Sequence, residues 1–201
     1  MLLSNNRVLL LLNIYAFSML ESLITSKTRI RILVKFFINT ANKGYLRGLA
    51  EEMNESTNSI RKELNNLQEA GYLEKEAVQN RISYRANTKH PLFETLKKII
   101  SQYIGLDAIV EMILDRMGEV KKIIVIGDYA NGIDSGIIEV IVIGDELNTE
   151  YIEQLSDKIE NEIKRKVQFF IAKSYDGKGL VIYEDFDLLK KEGLINKIKS
   201  N

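Results

Sequence analysis

The 201-residue chain has no cysteine, one histidine, one proline, no surplus of either charge and no apolar run long enough to cross a bilayer. Without cysteine, disulfides and thiolate metal sites are excluded. The single histidine, His90, stands before the single proline, Pro91. With no second histidine to share a metal, it reads as a turn or packing residue. The longest apolar run, Val8 to Leu20 (VLLLLNIYAFSML), falls short of the roughly 20 residues that a membrane helix needs. Arg7 precedes it as in a secretory signal, but no good small-residue cleavage site follows. Residues 1–22 are read as an N-terminal extension: either an apolar helix that packs or pairs, or translation from upstream of Met19, a natural initiator. The second is the stronger reading. No membrane partner and a cytoplasmic location are expected.

What is present is the composition of an ordinary globular protein, 45% hydrophobic and 28% charged. The length suits two domains, each able to bury a core. The zero net charge conceals a division: residues 27–100 hold fourteen Lys or Arg against eight Asp or Glu, and residues 101–201 hold thirteen against nineteen. A basic front half suits a polyanion, whereas an acidic rear half does not.

In the front half, Ser26 or Thr28 is placed to cap a helix whose apolar positions Ile30, Leu33, Val34, Phe37 and Ile38 recur at helical spacing. Asn42-Lys43-Gly44 breaks it, and Leu46, Leu49, Ala50 and Met53 mark a short second helix. A turn at Asn54-Glu55 leads to a third helix, capped by Ser56 and stopped by Gly71. On that helix Ile60, Leu64 and Leu67 share the inner face, which leaves Thr57, Asn58, Arg61, Lys62 and Asn65 pointing outward. Such side chains hydrogen-bond base edges and phosphates, although a solvated helix face would have the same pattern. Two strands follow, Tyr72 to Lys75 and Arg81 to Ala86, around a turn at Gln79-Asn80. Ile82, Tyr84 and Ala86 are expected inward, and Arg81, Ser83 and Arg85 outward. A helix-turn-helix followed by a basic hairpin is the order of a winged helix. Pro91 is expected to start a connector helix through Phe93, Leu96, Ile99, Ile100 and Tyr103. Gly105 separates it from a helix carrying Ile109, Val110, Ile113, Leu114 and Met117.

From Lys121 strands and helices alternate. Lys121 to Ile126 and Ile137 to Ile143 read as central strands. Thr149 to Lys166 reads as a helix capped by Thr149, Val167 to Ala172 and Gly179 to Tyr183 as further strands, and Phe186 to Ile198 as a last helix. The expected fold class is α+β, with a small mixed sheet in the rear half.

The segments Leu49-Ala50-Glu51-Glu52, Ser56 to Leu73 (STNSIRKELNNLQEAGYL) and Tyr84 to Phe93 (YRANTKHPLF) resemble the winged helix-turn-helix modules of bacterial arsenic-repressor-like regulators, over about residues 23 to 100. The resemblance implies a dimeric transcription regulator that sets two copies of Ser56 to Ala70 in successive major grooves. The stretch Gly127 to Val142 (GDYANGIDSGIIEVIV) resembles the active-site region of a minimal nucleotidyltransferase domain, over about residues 105 to 200. In active members a Gly-Ser turn holds the phosphates, and two aspartates one residue apart on the next strand hold magnesium ions. Side chains two apart on a strand share a face, so both carboxylates can grip the metals. Gly127 keeps the turn, Asp128 replaces the serine and would repel phosphate, and Asn131 replaces a basic residue. Alignment from Asp134-Ser135 puts Gly136 and Ile138 at the two metal positions, where neither binds a cation.

These readings predict three regions: residues 1–22, a DNA-binding domain with connector helix at 23–104, and a degenerate nucleotidyltransferase-like domain at 105–201. The expected function is transcription regulation by a homodimer bound to double-stranded DNA through Ser56, Thr57, Asn58, Arg61, Lys62, Asn65, Arg81 and Arg85. The rear domain would then serve dimerisation or the sensing of a small-molecule or nucleotide effector, with no catalysis and no cofactor. The alternatives are a transferase using Asp128, Asp134 and Glu139 as unusual metal ligands, and an antitoxin-like partner-binding protein.

Overall fold

The computed structural model describes residues 24–163 and 165–191, so the N-terminal extension and the end of the predicted last helix lie outside the described residues. The chain is a mixed α+β fold whose elements group into two units. The first runs to Ile104 and includes Ala130–Asp134; the second comprises Gly105–Tyr129 and the chain from Ser135 onward.

In the first unit, Ser26 caps helix α1 (Lys27–Phe37) by accepting from the Arg29 N–H at 3.2 Å. The five apolar positions expected to be buried are buried, and so are Ile32 and Phe36, which makes α1 a central helix rather than a one-sided surface helix. A two-residue strand, β1 (Gly44–Tyr45), precedes α2 (Leu46–Glu52). Asn54 then turns the chain at φ 50°, and Ser56 caps α3 (Thr57–Glu69) through the Ser59 N–H at 3.1 Å. Ile60, Leu64 and Leu67 seat α3, which packs against α1 and α2. Gly71, at φ 80°, ends the helical segment in a left-handed conformation that glycine adopts without strain.

The hairpin β2 (Leu73–Val78) and β3 (Arg81–Ala86) turns through Gln79 and Asn80, both left-handed, as a tight two-residue connection requires. β3 lies centrally, in the order β1-β3-β2. That placement corrects two expectations: Ile82 is 51% exposed and Ser83 is buried. Ser83 pairs with Tyr45 on one side and Glu76 on the other, while Ile82 pairs with Ala77 close to the hairpin tip. His90 is a turn residue, its Nδ1 accepting from the Leu92 N–H at 3.1 Å and its ring 4.4 Å from that of Tyr72. Pro91 lies in this turn, so the connector helix α4 (Phe93–Ile104) starts two residues later than expected. Phe93 packs its ring 5.7 Å from Phe37 of α1.

The second unit opens with α5 (Leu106–Arg116), entered through Gly105 at φ 92°. Four strands form one sheet in the order β6-β5-β4-β7: β4 (Glu119–Ile126), β5 (Ile137–Asp145), β6 (Lys166–Ala172) and β7 (Leu180–Glu184). β5 and β6 run parallel and the other pairs antiparallel. Parallel neighbours need a crossover, supplied here by α7 (Tyr151–Ile163), which packs on β6 and on α5. Its first amide is met by Asn148, whose Oδ1 accepts from the Tyr151 N–H at 3.3 Å, so Asn148 caps where Thr149 was expected. The helix also stops before Lys166, which belongs to β6. Between β4 and β5 lies the short α6 (Gly127–Ala130), and α8 (Phe186–Lys191) follows β7. Among the described residues no helix is long and apolar enough to cross a membrane.

Candidate functional site

The outward face of α3 carries Ser56, Thr57, Asn58, Arg61, Lys62 and Asn65, all exposed. The return strand of the hairpin adds exposed Arg81 and Arg85. Their electrostatic states differ. Arg85 donates to Glu74, its cross-strand neighbour, through Nη2 at 3.0 Å and Nε at 3.1 Å, so much of its charge is answered. Arg29, Arg31 and Lys35 are likewise tied to Glu63, Glu55 and Glu52 at 2.7, 3.4 and 2.8 Å. Among the described residues Arg61, Lys62 and Arg81 face no carboxylate at ion-pair distance. Arg61 Nη1 instead donates to the amide oxygen of Asn58, one turn earlier, at 3.0 Å.

A polar clamp that the spacing did not indicate fixes the inner side of α3. Glu63 is buried there, and its carboxylate accepts from Ser26 Oγ at 2.8 Å and from Arg29 Nε at 2.7 Å. Burial alone would raise its pKa, but the hydrogen bonds from Arg29 and Ser26 and the charges of Arg29 and Lys62 outweigh it and hold the carboxyl below its ordinary range. Thr28 Oγ1 adds contacts to Ser59 Oγ at 3.2 Å and to Glu55 at 3.3 Å. The first turn of α1 thus grips the N-terminal half of α3 by polar groups as well as by apolar packing. The one available signal was position: Glu63 lies at the edge of the inward arc, one turn after Ile60 and one turn before Leu67.

In the second unit the loop after β4 is built around Tyr129. Its ring is fully buried, and its hydroxyl accepts from the Gly136 N–H at 3.2 Å and from Arg165 Nε at 3.0 Å. Gly127 (φ 65°) and Gly136 (φ 85°) take left-handed conformations and Asp128 is exposed; Asn131 and Asp134, which belong to the first unit, are exposed as well. The sequence alignment set Gly136 and Ile138 at the two metal positions; β5 begins at Ile137, so its pleat bears on Ile138. Ile138, Val140 and Val142 alternate on one face and are fully buried, so Ile138 is a core residue. The opposite face carries Ile137, Glu139, Ile141 and Ile143, and the half-buried Glu139 side chain lies directly against Gly127, where any Cβ would collide with its carboxylate. Ile141 and Ile143 join Ile124 in a small cluster on this side. Among the described residues no three His, Cys, Asp or Glu side chains come together as a group that could hold a metal ion.

No family model matches the chain, and no curated protein and no solved structure is found similar to it.

Proposed function

We propose that the chain is a sequence-specific DNA-binding transcription regulator working as a cytoplasmic homodimer. In this reading the first unit is a winged helix-turn-helix domain, α3 its recognition helix and the β2–β3 hairpin its wing. The observation that carries it is a group of exposed cations with no carboxylate at ion-pair distance among the described residues, Arg61, Lys62 and Arg81, on the outer side of α3 and on the hairpin, whereas Arg29, Arg31, Lys35, Lys43 and Arg85 are ion-paired. Free cations release counterions from a phosphate backbone when they bind it; paired ones must first leave their partner. α3 is about 20 Å long at 1.5 Å per residue, which suits a segment of major groove.

The second unit then serves dimerisation or effector sensing rather than nucleotidyl transfer. Two-metal phosphoryl transfer needs carboxylates that share a face, and the neighbours of Glu139 on its face of β5 are Ile137 and Ile141. The transferase alternative has one feature in its favour, the position of Glu139 against Gly127.

The test is duplex binding by the full chain with Arg61, Lys62, Arg81 and Arg85 all changed to alanine. Removing one cation from a phosphate should flatten the logarithmic salt dependence by roughly 0.9, so a decrease of about 2 to 3 in slope is expected per protomer, or about 4 to 6 for the homodimer, with Arg85 contributing least. All four side chains are exposed, so thermal stability should hardly move. Unchanged affinity and slope in the quadruple variant would refute the assignment.

A further inference from the structure

The way Arg61 is held says more than that the exposed side of α3 carries cations. At about 100° per residue, Asn58, Lys62 and Asn65 fall nearly opposite the buried Ile60, Leu64 and Leu67 and form the central outward line of the helix. Arg61 projects from the flank of that line. Its hydrogen bond to Asn58 Oδ1, at 3.0 Å, draws the guanidinium back toward the centre. Arg29 and Arg85, by contrast, hydrogen-bond to Glu63 and Glu74, carboxylates that neutralise the charge they orient. An amide oxygen orients without neutralising. It engages Nη1 and leaves the Nε and Nη2 donors side by side, the fork that matches O6 and N7 of guanine in the major groove.

Resting on the reading of the first unit as DNA-binding, we propose that α3 reads a guanine through Arg61 and that Asn58 is the positioning residue for that contact. A helix in the major groove faces the base edges with its central line and the phosphate walls with its flanks. An arginine carried from flank to centre is therefore moved from phosphate toward base. Lys62, although on the central line, carries a compact charge on a long flexible stem with no oriented fork, so it can swing to a phosphate wall but gives no bidentate base contact. Asn58 has one lone pair of its carbonyl and the orientation of its amide committed to Arg61, which disfavours the bidentate contact that adenine reading requires.

The experiment selects bound sequences from a pool of random-sequence duplexes with the full-length chain, comparing wild type with Arg61→Ala, Arg61→Lys and Asn58→Ala. Wild type should enrich a G at one position of each half-site. Arg61→Ala should erase that preference, a loss of roughly tenfold in discrimination, and keep the others. Arg61→Lys retains the charge and should retain affinity for mixed-sequence DNA while weakening the G. Asn58→Ala should weaken the same position without changing the melting temperature; a preference untouched by it removes the positioning role. If Arg61→Lys keeps the full preference and Arg61→Ala weakens all sequences alike with a flatter salt slope, Arg61 is a phosphate contact and the proposal fails while the DNA-binding reading stands. A wild type that binds the pool but enriches no base fails it in the same way. Failure to bind any duplex removes both.

Discussion

Replacing either end of the Arg29–Glu63 pair by methionine should have unequal effects, because the two ends differ in burial. The Glu63 side chain is 7% exposed and that of Arg29 is 37% exposed. In Arg29→Met the carboxylate is stranded beneath α3 with the Ser26 hydroxyl as its remaining hydrogen-bond donor. Stranding a buried charge costs about 3 to 5 kcal/mol; Ser26 keeps the expected value near about 3 kcal/mol. In Glu63→Met the guanidinium can turn to water, and Ser26 still caps α1 through the Arg29 amide. The missing charge-assisted bond is offset by the carboxylate that no longer needs burying, so about 1 kcal/mol or less is expected. Native-state hydrogen exchange of α3 amides reads this unit by itself, and at pH 7 protection should fall roughly 150-fold in the first variant and about fivefold or less in the second. The sign with pH follows from the lowered pKa of Glu63. Its contribution in the wild type is fully present above the carboxyl's unfolded pKa and is lost as pH falls through the still lower folded value. In Arg29→Met the stranded group takes up its proton in acid, so the gap between the two variants should close there. A Glu63→Met variant as unstable as Arg29→Met, or a gap that persists in acid, would refute the reasoning.

Two further outcomes are expected. Ser56→Ala removes the acceptor for the Ser59 N–H and should destabilise the first turn of α3 by about 1 kcal/mol, seen as faster exchange of that turn's amides; an unchanged rate would mean the cap contributes nothing. Incubation of the chain with labelled nucleoside triphosphates and magnesium or manganese should give no transfer, and transfer that Glu139→Gln abolishes would establish the enzyme alternative instead.

The elements most legible in the sequence were those specified by local chemistry. Ser26 and Ser56 sit where a hydroxyl can take a first-turn amide, and each does so. The spacing of Ile60, Leu64 and Leu67 gave the inner face of α3, and Gln79-Asn80 gave the hairpin turn. Errors arose where a neighbour distant in sequence decides. Alternation says that Ile82 and Tyr84 share a face, but not that β1, only two residues long, makes β3 a central strand and closes over Ser83. Asn148 and Thr149 are adjacent polar side chains, and the modest N-cap preference for asparagine over threonine agrees with Asn148 taking the Tyr151 amide. The Ser26–Arg29–Glu63 clamp spans 37 residues between its ends, a pairing with no local signature.

The same limit explains β5. A motif aligned from the preceding loop counts residues, whereas a strand assigns faces by parity, so a shift of one residue exchanges core for surface. Ile138 went to the core in this way, and Glu139 came to lie against Gly127. The change of face exchanges the residues but preserves the argument. Gripping two metal ions takes carboxylates at alternate positions of one strand face; Glu139 has Ile137 before it and Ile141 after it, and its register partners on the adjoining strands are Ile126 and Gln168. Either parity leaves β5 without two acids at alternate positions of one face, so the proposal of a non-catalytic second unit does not turn on which alignment of the loop is adopted.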